Sequence, residues 1–200
     1  MAKLKLTKNE QKKQKDSLKR FQRYLPTLML KKQQLQAEIR SVEVRVAGLQ
    51  RQKEQMNESV KKWVAIFCEE GVFTPDILKI STLISGEGNI AGVAIPVFEG
   101  VEFETAPYDL VEKPLWLDLV VNNMKNILSL DMELECLREQ QRCLRKELKT
   151  TSQRVNLFEK IKIPESKANI KKIAVYLGDQ QTAAVVRGKI FKRGMEKNGS

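Results

Sequence analysis

Apolar residues recur at alternating steps of three and four along two long stretches of this chain. The first reads Leu18, Phe21, Leu25, Leu28, Lys32, Leu35, Ile39, Val42, Val46, Leu49, Lys53, Met56, Val60, Trp63 and Phe67, in which only the two lysines are polar. The second reads Trp116, Val120, Asn123, Ile127, Leu130, Leu134, Leu137, Gln141, Leu144, Leu148, Thr151, Val155 and Phe158, with three polar members. A repeat of this kind is a coiled-coil seam. It predicts a mainly α fold: a long antiparallel two-helix coiled coil with a small head that contains a β-hairpin. About 60 helical residues at about 1.5 Å each give a stiff rod roughly 90 Å long.

Local signals divide the chain into an N-terminal coiled-coil helix (1–70), a head (71–113) and a C-terminal coiled-coil helix with its tail (114–200). Thr7 and Glu10 have the spacing of a capping box. Gly71 and the Thr74-Pro75-Asp76 turn stop the first helix. Pro26 lies inside it and costs one hydrogen bond, but the seam keeps its phase across that point. In the head, Ile77–Ile84 is expected as a short helix, and Gly86–Gly92 as a turn. Val93, Ile95 and Val97 are expected to pair with Val101, Phe103 and Thr105 around Phe98-Glu99-Gly100. Pro96 limits that hairpin to an edge or irregular strand. The second helix starts near Lys113-Pro114 and runs to Ile163-Pro164. Ser166 or Asn169 caps a continuation with Ile170, Ile173 and Leu177 on one face. Gly178 and Gly188 weaken that last helix, and the tail from Gly194 is expected to fray. The antiparallel pairing sets Trp63 and Phe67 against Trp116 and Val120.

Charge adds direction to the rod. The formal net charge is +11, which calls for an acidic partner surface. Residues 1–45 carry thirteen Lys/Arg and four Asp/Glu, whereas residues 70–135 carry three and twelve. Residues 136–200 are basic again. Pairing the helices brings both basic stretches to one end and leaves the head acidic. Lys12, Lys15, Lys19, Arg23, Lys31 and Lys32 on one helix, with Arg154, Lys162, Lys171 and Lys172 on the other, are the candidate partner-binding residues.

The chain has no histidine, which excludes histidine triads and histidine metal sites. Cys68, Cys136 and Cys143 have no CxxC spacing, and are read as reduced thiols of a cytoplasmic protein. No window holds the ~20 apolar residues of a membrane span. The basic start has no apolar stretch behind it, so it is not read as a signal peptide. Any membrane association is expected to run through partners.

Candidate chemistry is sparse. Gly86-Glu87-Gly88-Asn89-Ile90-Ala91-Gly92 lacks the Lys-Ser/Thr of a phosphate loop and the dinucleotide spacing. Glu99, Glu102, Glu104 and Asp109 read as a solvated face rather than an acid–base site. Asn123, Gln141 and Thr151 read as register-setting polar seam positions. Lys32 and Lys53 read as snorkelling, or as marking the approach of a third chain. No catalytic, cofactor or metal residues are assigned. From the residues alone, a shaft, a basic nucleic-acid-binding coiled coil and a coiled-coil scaffold all remain open. Nucleic acid is the less favoured partner, because no aromatic residues interleave with the lysines.

Two segments carry a family resemblance. Leu6-Thr7-Lys8-Asn9-Glu10, then Leu18-Lys19-Arg20-Phe21 and Arg23 through Leu35, resemble the start of the D subunit of V-type (A/V-type) rotary ATPases. Arg154-Val155-Asn156-Leu157-Phe158-Glu159-Lys160-Ile161-Lys162-Ile163-Pro164 resembles that family's second signature. The chain departs from the family pattern at Leu157-Phe158, at Gln180-Gln181 and at Gly188. The resemblance spans nearly the whole chain. It implies a non-catalytic central-stalk rotor subunit, which couples ATP hydrolysis or synthesis in a hexamer to ion transport by a membrane ring. The implied partners are the catalytic and regulatory subunits of the hexamer, the small F subunit of the stalk and a membrane-side coupling subunit. The implied location is cytoplasmic, peripheral to the membrane within the complex.

Overall fold

A computed structural model of the protein describes residues 4–67, 77–105 and 116–198, with side chains described to residue 62 in the first segment and to residue 193 in the last. Helix α1 is Lys8–Phe67, strands β1 and β2 are Leu78–Ile90 and Val93–Thr105, and helix α2 is Trp116–Asn156. A π-helical turn, Leu157–Lys162, leads directly into helix α3, Ile163–Asn198. The expected boundaries at 70/71 and 113/114 lie outside the described residues, as do the Gly71 stop, the Thr74-Pro75-Asp76 turn and the side chains of Trp63 and Phe67.

The chain forms two compact units, one of Met1–Lys32 with Thr150–Ser200 and one of Gln33–Lys149. In the second unit α1 and α2 run antiparallel. Arg45 pairs with Glu133 at 3.0 Å and Lys53 with Asp131 at 2.5 Å, while Glu43 Oε1 accepts from Gln141 at 3.0 Å and Arg145 at 2.8 Å. Leu35, Ile39, Val42, Leu137 and Leu144 form the buried core of this unit, flanked by Val46, Leu49 and Leu148. Every seam position named above whose side chain is described is buried or half-buried, Val60, Ile127, Leu130 and Leu134 included. Lys53 is thus held in a cross-helix ion pair and Gln141 in a cross-helix hydrogen bond.

The head differs from its expected form. Leu78–Ile90 is a strand, not a helix, and its partner is the whole of Val93–Thr105 in one antiparallel ladder. Ile80, Thr82 and Ile84 supply the β-branched side chains that favour an extended chain. Gly86 and Gly88 lie within β1 rather than in a turn. The turn is Ala91-Gly92, with φ of 52° and 76°. Those values at both central residues are those of a type I′ hairpin loop, whose twist matches the strands. Asn89 Oδ1 accepts from the Gly92 amide at 2.9 Å and secures it.

The hairpin is also folded back on the coil. Ile95 is buried in the same core as Leu35 and Leu144, and Ile90, Ala91 and Val93 pack beside it. Near the strand starts, Ile77 is buried with Leu117 and Val121, next to Trp116. Pro96 sits where β2 can tolerate it. Its missing amide would point away from β1, and its carbonyl accepts from Gln140 Nε2 at 2.6 Å and from the Cys136 thiol at 3.5 Å.

In the first unit, the N-terminus is capped as its sequence predicts. The Glu10 amide donates to Thr7 Oγ1 at 3.3 Å, although the Glu10 carboxylate accepts from Gln14 rather than reaching back. Phe21 and Phe158 stack with ring centroids 5.1 Å apart. Leu18, Leu25 and Leu28 are half-buried and Val155 is buried. The expected break at Ile163-Pro164 is absent: helix continues through it, and Ser166 is a buried helical residue, not a cap. Pro164 has no amide to donate, and its ring crowds the carbonyl four residues earlier. The preceding turn relaxes to π geometry, with the Ile163 amide bonded to Phe158 O. Helix also persists past Gly194 to Asn198, against the expected fraying.

A π turn holds one extra residue, and the seam moves accordingly. An unbroken heptad would place Glu165 and Lys172 inside. Both are exposed, while Ser166 and Ile173 are buried and Ile170 and Leu177 are half-buried. The expected Ile170, Ile173 and Leu177 face is therefore real, offset by one residue.

Candidate interaction surface

All ten candidate basic residues belong to the first unit. That unit carries twenty-two Lys/Arg against six Asp/Glu, whereas the second carries fourteen against nineteen. The charge segregation read along the sequence therefore follows the packing.

On α1, Lys12, Lys15, Lys19 and Arg23 recur at helical spacing and are all exposed. Their stripe lies roughly opposite Leu18, Phe21, Leu25 and Leu28 on the helix. Lys31 and Lys32 are half-buried and leave that stripe, Lys32 toward the seam. On the other strand of this unit, Arg154, Lys171 and Lys172 are exposed. Lys162 is half-buried within the π turn, 3.4 Å from the Glu165 carboxylate. Lys171 and Lys172 flank the outer face of α3, a consequence of the one-residue offset of the seam. The basic set is therefore an outward array on two helices, not a convergent pocket.

Exposed apolar side chains accompany it. Val175, Val186 and Ile190 lie along α3 at helical spacing, each about half exposed or more, with Phe191 70% exposed beside them. Beyond Leu177, Ala183 is the only half-buried residue among the described side chains of α3.

The second unit has an apolar surface outside the seam. Leu117, Val121, Cys136 and Gln140 are buried, and Met124, Leu128 and Met132 half-buried, on a face of α2 distinct from the seam. This second apolar stripe receives the hairpin. It was visible in the sequence as a helical repeat running from Leu117 to Cys143. Burial pushes the Cys136 thiol above its ordinary pKa, Glu133 adds to the rise, and Arg45 and the Phe98 amide oppose it. A protonated thiol is the form that donates to Pro96.

Glu99, Glu102 and Glu104 are exposed on β2. Among the described residues, no group of three or more Cys, Asp or Glu is placed to hold a metal ion. An open hollow of about 300 Å³ is lined by Gln52, Gln55, Met56, Ser59, Val60 and the seam residue Asn123. No described helix is long and apolar enough to cross a membrane.

The sequence profile of the ATP synthase D subunit family matches residues 10–193. A V-type ATP synthase D subunit from Borreliella burgdorferi is 50% identical over 199 residues, covering 98% of this chain and 97% of that protein. Its counterpart from Chlamydia pneumoniae is 36% identical over 200 residues, covering 96% and 93%. That from Chlamydia felis is 34% identical over 197 residues, covering 97% and 94%. With that coverage, and with a coil, a hairpin and a basic end in the expected order, the chain belongs to the family of V-type ATP synthase D subunits, the central-stalk subunits of rotary ATPases.

Proposed function

We propose that the first unit is the part of the stalk gripped by the catalytic and regulatory subunits of the hexamer, and that the chain transmits torque without itself catalysing a reaction. The observation that carries this reading is the segregation of charge by unit, with Lys12, Lys15, Lys19 and Arg23 aligned on the outward face of α1. Arg154, Lys162, Lys171 and Lys172 present the corresponding charge from the other helix. An array of long cationic side chains suits the carboxylate-lined wall of a surrounding ring, and several weak contacts hold it better than one strong one. Lys31 and Lys32 belong to the same set at its margin.

The acidic second unit is the part directed to the small F subunit of the stalk and to the membrane-side coupling subunit. Membrane association runs through those partners, which makes the chain a cytoplasmic, peripheral component, and nucleic acid is not among its ligands.

Replacing Lys12, Lys15, Lys19 and Arg23 together by Glu tests the assignment. Each exposed pair contributes only about 0–1 kcal/mol, so single changes are expected to be silent. The fourfold variant should weaken assembly with the hexamer, or let ATP hydrolysis proceed without ion transport. An assembled complex with coupling at the parental level would overturn the role of this stripe.

A further inference from the structure

We propose that the outer edge of β1 receives a third strand from another polypeptide of the ATPase complex, an extended segment with a pair of adjacent basic residues beside a pair of adjacent apolar ones. This rests on the stalk reading above.

The two edges of the hairpin are not equivalent. Pro96 pairs with Glu87, and Phe98 with Ser85. A proline has no amide for the ladder, so this is the pair type whose main-chain groups point outward on both strands. On β2 the outward groups meet α2: the Pro96 carbonyl accepts from Gln140, and the Phe98 amide faces the Cys136 sulfur. On β1 the matching outward groups belong to Ser85 and Glu87, and no described strand pairs with them.

Apart from a bulge at Ser81 on β1 and one at Glu99 on β2, that edge lacks the other usual protections against strand addition. Edges are ordinarily blunted by charge, proline or shortness. β1 is 13 residues long, and Thr82-Leu83-Ile84-Ser85-Gly86 carries neither charge nor proline. Leu83 is 45% exposed and Ile84 40% exposed, on opposite faces. Two-stranded sheets bury little by themselves, and a third strand would extend cover over both side chains.

Charge selects the occupant. Gly86 has no side chain, and the Glu99 carboxylate lies over it from β2. Glu87 projects on the other face. An added strand would therefore run between two carboxylates, one above and one below, which favours Lys or Arg at successive positions. An antiparallel β1–β1 pairing centred on Leu83 would set Lys79 opposite Glu87, so a second copy of this chain is the rival that the concentration dependence of exchange separates.

Hydrogen exchange on the full chain, alone and in the purified ATPase complex, tests this. The Ser85 and Glu87 amides should exchange near the free-peptide rate in the chain alone and at least ~100-fold more slowly in the complex. Ser85→Pro removes an outward amide without costing a ladder bond, and should abolish the protection of Glu87 while α1 and α2 stay protected. Leu83→Lys, which leaves the backbone unaltered, should weaken the same protection. Equal exchange in both states, or protection of Glu87 that survives Ser85→Pro, would overturn the proposal. So would concentration-dependent protection of the chain alone, which would identify a second copy as the occupant. Absence of the chain from the complex would instead overturn the stalk reading, and this proposal with it.

Discussion

Gln140 reaches from α2 to donate a 2.6 Å hydrogen bond to the main-chain carbonyl of Pro96. The bond fastens a strand to a helix through a residue that cannot serve the strand's own ladder. Proline leaves its outward carbonyl beside α2, and glutamine, 8% exposed, satisfies it. Gln140→Leu keeps much of the side-chain volume and removes the donor, with only the weaker Cys136 thiol left. The expected cost is about 1–3 kcal/mol, because a buried carbonyl loses its main partner. Chemical denaturation should show it as a lower midpoint with an unchanged slope.

The core beneath the hairpin gives a larger effect. Leu144 is fully buried in the cluster that holds Leu35, Ile39, Val42 and Ile95. Leu144→Ala should cost about 2–5 kcal/mol. Leu157→Ala, at a residue 40% exposed, should cost far less. Thermal unfolding of the two variants in parallel measures the difference.

At the hairpin turn the sign reverses. Ala91 holds a φ of 52°, where an L-residue with a Cβ is strained by about 1–2 kcal/mol. Glycine relieves that strain but has more freedom to lose from the unfolded chain. Ala91→Gly should therefore stabilise by about 0.5–1 kcal/mol. Gly92→Val, at a φ of 76°, should destabilise. Hydrogen exchange of the β1 and β2 amides would report both changes locally.

Much of this architecture was legible from spacing. Seam positions from Leu18 to Val60 and from Trp116 to Phe158 all lie inward, because a three-four repeat leaves a helix one way to bury its apolar side. The head was legible only as a place where helix gives way. Ile77–Ile84 is short, apolar and without a decisive period, and it becomes a strand because Val93–Thr105 is there to pair with it. Gly86 and Gly88 look like turn residues in isolation. In the fold they make room for the Glu99 and Val97 side chains, a fact about the opposite strand that no local pattern holds. The second stripe of α2 was present in the sequence but overshadowed by the stronger seam. Of the basic residues read on α1, Lys12, Lys15, Lys19 and Arg23 share one exposed stripe, while Lys31 and Lys32 leave it, because helical phase turns them toward the seam.

Deleting one residue from the π turn makes a further prediction. Removal of Ile161, 53% exposed, combined with Pro164→Ala, should convert Leu157–Lys162 to ordinary α-helix and keep both flanking seams in register. Deleting Glu147 from α2 should be far more damaging, since every seam residue after it would turn away from α1. Similar melting temperatures for the two deletions would contradict the account of the π turn as a one-residue insertion.

That insertion has a meaning particular to a part that turns. In an unbroken α-helix of the same sequence, every residue after this turn would sit roughly 100° further round the axis. Lys171 and Lys172 therefore point in a direction fixed by the π turn, not by the heptads before it. On an axle, the bearing angle of a surface decides when it meets each wall of its housing. Under the grip proposed above, the π turn would act like the keyway of a cam, setting the bearing of α3 relative to Arg154.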